Sequence, residues 1–78
     1  MNVLPDGSHD VLVIDAKTDV DDTVHFELAV VAGPNKGDVV MLRASGIERD
    51  AIDMLGLPAT LIVEDGNPRI VFDDGRNG

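Results

Sequence analysis

The residues able to do chemistry in this chain are mostly aspartates, and the densest group is Asp19-Val20-Asp21-Asp22. Hard cations bind where several carboxylate oxygens converge on one loop, but this group lacks the later glycine and the bidentate glutamate of an EF-hand. It reads as a solvated acidic loop, and no metal is expected. His9 and His25 lie far apart, without the paired spacing of a zinc site. The absence of cysteine removes thiolate ligation, disulfides and thiol nucleophiles together. Ser8 and Ser45 are accounted for by turn and cap positions, and no acid and base pair is set apart by its environment. The chain is therefore expected to be noncatalytic and to need no cofactor. Gly33-Pro34-Asn35-Lys36-Gly37 lacks the Gly-Lys-Ser/Thr ending of a phosphate loop and leads into a strand pattern, which makes it a hairpin loop.

The elements that must position these residues fit one small domain. Of 78 residues, 44% are apolar and 27% charged, a balance that favours folding over disorder. Val11-Leu12-Val13-Ile14 has no helical spacing and reads as a strand buried on both faces. Thr23 to Ala32 alternates, with Val24, Phe26, Leu28 and Val30 on one face and His25, Glu27 and Ala29 on the other. Asp38 to Ala44 returns as a strand with Val40 and Leu42 inward and Val39, Met41 and Arg43 outward. Ser45-Gly46-Ile47-Glu48 fits a capping box, predicting a helix of about three turns with Ile47, Ala51, Met54 and Leu55 on one side and Gly56 at its end. Ala59 to Glu64 and Arg69 to Asp73 flank Asp65-Gly66-Asn67-Pro68 as a last hairpin, with Leu61, Val63, Ile70 and Phe72 in the core.

The order strand, strand, strand, helix, strand, strand predicts a mainly β fold, a five-stranded Greek-key barrel with one short helix between strands three and four. This order resembles the oligonucleotide/oligosaccharide-binding fold over residues 8–73, leaving 1–7 as an N-terminal arm and 74–78 as a flexible tail. Gly7, the strand Val11 to Ala16, and Phe26-Glu27-Leu28 leading into Ala32-Gly33-Pro34-Asn35-Lys36-Gly37-Asp38-Val39-Val40 are similar to the start of small phage and bacterial single-stranded-DNA-binding-like barrels.

In such barrels the ligand crosses the outer face of strands two and three, between the loop joining strands one and two and the loop joining strands four and five. The resemblance thus implies a surface built from Val31, Val39 and Met41 with a charged rim of Asp19, Asp21, Asp22 and Asp65. Lys17, His25, Lys36 and Arg43 would be the contacts of a nucleic-acid ligand. Fifteen acids against six bases give a net charge of −9, which repels phosphate and attracts basic protein surfaces. Single-strand binders use aromatic platforms, and this chain has no Trp, no Tyr and two Phe, both assigned to the core. The expectation is an interaction module for a protein partner with a basic surface. No membrane span is read, and a cytoplasmic setting is expected.

Overall fold

A computed structural model describes residues 4–47 and 49–72. The chain runs β1 (Gly7–Thr18), β2 (Val24–Val30), β3 (Val39–Ala44), α1 (Ala51–Met54), β4 (Pro58–Glu64) and β5 (Asn67–Phe72). All pairings are antiparallel, and the hydrogen-bonding order is β3-β2-β1-β4-β5. This is the expected mainly β fold with a short helix between the third and fourth strands. The five strands form a curled half-barrel, and the curl can be measured. Strands sit about 4.8 Å apart, so a flat sheet would hold β2 and β5 about 14 Å apart. The rings of Phe26 on β2 and Phe72 on β5 instead have centroids 6.3 Å apart.

The inner face carries the core, which follows the alternation of the sequence. Val24, Phe26, Leu28 and Val30 of β2 are buried, as are Leu42 of β3 and Ala59, Leu61 and Val63 of β4. Val40, Ile70 and Phe72 pack against them, partly buried. Met54, fully buried, brings the helix onto this core.

The first strand departs from the two-sided burial expected of it. Val11 and Val13 are buried, Leu12 is half-buried, and Ile14 is 45% exposed. Strict alternation from Val11 and Val13 would next turn Asp15 and Lys17 into the core, where unpaired charges are very costly. The register against β2 shifts instead between Val13 and Asp15, so that Ala16 faces Phe26 and Thr18 faces Val24. This bulge flips the face of the strand. Before it, β1 pairs with both β4 and β2; after it, the ladder is with β2 alone. At the switch the Val13 N–H donates to the Leu57 carbonyl (3.0 Å), and the Gly56 N–H donates to the Val13 carbonyl (2.8 Å).

The helix is shorter than its pattern predicts: four residues, with Asp50 at the N-cap position and no side-chain capping hydrogen bond. Gly46 takes φ +73, a left-handed conformation that breaks any helix started at Ser45. Glu48, the other half of the expected capping box, lies outside the described residues. Tertiary contacts outweigh local propensity here. Ile47 packs against the core, and the Arg49 guanidinium sits 4.6 Å from the centroid of the Phe72 ring, joining the helix approach to β5. Leu55, assigned to the core face, is exposed, and Leu57 packs against the core in its place.

The β4–β5 connection is tighter than the four-residue loop expected. Asp65 and Gly66 alone form it, at φ +51 and +78, the doubly left-handed pattern of a type I′ turn. The arm before β1 is tied to this turn. Leu4 is buried, and the Asp6 carboxylate accepts from the Asp65 and Gly66 N–H groups, at 3.1 Å each. The tail 74–78 lies outside the described residues.

Candidate functional site

The outer face of β1, β2 and β3 carries a groove of about 510 Å³. Cross-strand register builds it in rows. Lys17 faces His25, which faces Arg43; one step along, Asp15 faces Glu27, which faces Met41. All six line the groove, with Asp19 at its edge. Met41 is 76% exposed, and Val39 continues the outer face of β3.

The bulge is what makes this site. It turns Asp15 and Lys17 outward together, and without it the uncharged Ala16 would take the β1 place in the first row. Like charges directly opposite one another destabilise a sheet, and Asp15 opposite Glu27 is such a pair, while Lys17 and Arg43 stand on either side of His25 in the other row. The His25 imidazole meets the Asp19 carboxylate, which lies 3.2 Å from Nε2. Among the described residues, Lys17 and Arg43 have no carboxylate within 4.0 Å, and neither Asp15 nor Glu27 forms an ion pair.

The acidic loop at the end of the groove uses its carboxylates on its own backbone. Asp19 Oδ1 accepts from the Val20 N–H (2.8 Å), and Asp21 Oδ1 accepts from the Thr23 N–H (3.2 Å). Asp22 sits at φ +64, a left-handed position that Asp tolerates better than most residues. The Asp19 carboxyl is held below its ordinary value of 3.8, first by the Val20 N–H and then by His25. Among the described residues, no three His, Asp or Glu side chains converge as a metal site.

The residues singled out from the sequence thus divide. Asp19, Lys17, His25, Met41 and Arg43 come together in the groove, with Asp21 and Asp22 in the loop beside it. Asp65 does not join them: its turn sits by the start of β1, since Gly7 pairs with Val63, whereas the aspartate loop follows the other end of that strand. The four aspartates therefore do not form one rim. Val31 follows the far end of β2, where its N–H donates to the Asp10 carbonyl, and Lys36 lies in the β2–β3 hairpin at that same end. Asp15 was not singled out. The signal for it was the break in alternation at Ile14-Asp15, a charge where an inward residue was due.

Comparison with known proteins gives no match: no family model fits the chain, and no curated protein or solved structure is similar enough to serve as a relative. No helix among the described residues is long and apolar enough to cross a membrane.

Proposed function

We propose that this chain is a noncatalytic binding module that takes a protein partner on the outer face of β2 and β3. The observation that carries this reading is the exposed Met41, flanked by Val39, beside an open groove with charged walls. The core is complete without these side chains, and apolar groups ringed by charge are the usual composition of a recognition surface. The three aspartates of the neighbouring loop, within a −9 field, favour encounter with a partner that carries basic surface.

The test is capture of the partner by the wild-type chain, with nuclease present, followed by association kinetics on variants. Met41→Asp abolishes capture while the fold survives. Converting Asp19, Asp21 and Asp22 to Asn slows association several-fold at low salt and flattens its salt dependence, and Asp65→Asn leaves the rate unchanged. Capture that is indifferent to Met41→Asp removes this reading.

One observation favours a second reading, single-stranded nucleic acid: the row Lys17, His25 and Arg43 could follow a phosphate backbone. Against it stand the net charge and the aromatic rings, since Phe26 is buried and Phe72 packs on the core. This reading requires measurable affinity for an oligonucleotide at low salt and its loss in Arg43→Glu.

A further inference from the structure

The groove walls carry opposite charges in order. One row holds the cations Lys17 and Arg43 on either side of His25, and the row beside it holds the anions Asp15 and Glu27. Among the described residues, Lys17, Arg43, Asp15 and Glu27 form no ion pair within 4.0 Å, although the rows are neighbours and Arg43 acts on the Asp19 carboxylate at longer range. Residues two apart on a strand are about 6.6 Å apart along it, too far for short side chains to meet and close to the spacing of alternate side chains on any extended peptide. A bound extended segment would therefore present one charge to each row if its charged residues stood two positions apart.

From this charge order we infer that the partner enters the groove as an extended peptide segment running along β2 and β3, with an acidic and a basic residue at positions i and i+2. This rests on the protein-binding reading above and names the chemistry of its ligand. The acidic residue meets Lys17 and Arg43, and the basic one meets Asp15 and Glu27. The stem of the basic residue lies on Met41 in the same row, and the next side chain on that face, at i+4, reaches Val39. Such a segment offsets the Asp15–Glu27 repulsion and neutralises Lys17 and Arg43 at once. A two-lysine segment meets repulsion at the first row, and a two-glutamate segment meets it at the second and also from the −9 chain as a whole.

The experiment is titration of the isotope-labelled chain with short synthetic peptides at low salt, followed by backbone amide NMR shifts. The probes are an eight-residue threonine-rich peptide with lysine and glutamate two positions apart, its isomer with them adjacent, and versions with two lysines or two glutamates. An eight-nucleotide oligothymidine is run beside them. The i,i+2 peptide is expected to move the amides of Lys17, His25, Glu27, Met41 and Arg43 and to bind at least about fivefold more tightly than the adjacent isomer, the scale that two exposed ion pairs supply. In Arg43→Gln its advantage over the two-lysine peptide disappears. Equal binding of the isomers, or no peptide response at millimolar concentration, overturns the inference. So does oligothymidine as the tightest ligand of the row, which would install nucleic acid instead. Partner capture that depends on Met41 but not on charge order overturns this inference alone and leaves the protein-binding reading in place.

Discussion

At the scale of single residues, two carboxylates have structural tasks that their exposure hides. Asp6 accepts two backbone N–H groups of the β4–β5 turn, one on each oxygen. Hydrogen bonds to a charged acceptor are the stronger kind, and for an exposed pair about 1–2 kcal/mol is expected on Asp6→Ala, read as a lower urea midpoint with unchanged slope. Asp6→Asn keeps one acceptor oxygen and should lose about half as much. Asp19 works in the other loop, and its pH behaviour follows from its depressed pKa. A carboxyl with a lowered folded-state value stabilises the fold above its ordinary value of 3.8 and loses that contribution as pH falls below it. Amide NMR across Asp19 to His25 should therefore show the loop losing order at lower pH than ordinary carboxylates titrate, and Asp19→Asn should remove that transition. A loop that loses order in step with ordinary carboxylates would mean that the Val20 and His25 contacts do not hold it. In the core, Phe26→Ala removes the ring that meets Phe72 across the curl, and a loss of about 3–5 kcal/mol is expected in thermal or urea unfolding.

At the scale of elements, the decisive feature is the bulge in β1. Deleting Ile14 removes the extra residue and leaves Val13 and Asp15 as successive members of a regular ladder with Asp15 and Lys17 still outward, so the deletion variant should keep a cooperative melt. Ile14→Ala keeps the residue count and removes a half-exposed side chain, and should cost about 1 kcal/mol or less. A deletion variant that loses its cooperative melt would mean that the extra residue does more than turn Asp15 and Lys17 outward. Much of this architecture was legible beforehand. β2 and its hairpin to β3 followed from clean alternation and two glycines, because burial on one face imposes period two. What could not be read was where long-range contacts overrule local pattern. The bulge depends on β1 changing partners. The helix is cut to one turn because Ile47 and Arg49 are claimed by the core and Phe72, which capping chemistry at Ser45 does not reveal. Ser45→Ala should accordingly change stability by no more than about 0.5 kcal/mol. The groove was half legible for the same reason. Its β2 and β3 members follow from alternation, whereas Asp15 requires the bulge, and the separation of Asp65 from the aspartate loop requires the pairing register of β4.

At the scale of the whole molecule, charge acts twice, and the two actions can be separated. Fifteen acids against six bases repel one another in the compact state, so salt should stabilise the fold. Raising ionic strength from about 0.01 to 0.15 M shortens the screening length from about 30 to 8 Å, and the melting temperature should rise over that range. Neutralising any three exposed acids relieves the same self-repulsion wherever they stand. Converting Asp19, Asp21 and Asp22 to Asn also removes the side-chain acceptor chemistry of one loop, so a set of exposed acids such as Asp10, Asp50 and Asp53 serves as the reference, each changed to Asn. Both triple variants lower the net charge from −9 to −6, the three lost charges being the whole difference. If the field of the whole chain steers the partner, both should slow association equally. If the loop beside the groove steers it, the loop variant should slow association several-fold more than the reference at low salt, and the difference should vanish at high salt, because a local potential is screened within a Debye length. The structure favours the second outcome, since the aspartate loop stands at the end of the groove and the reference acids stand away from it.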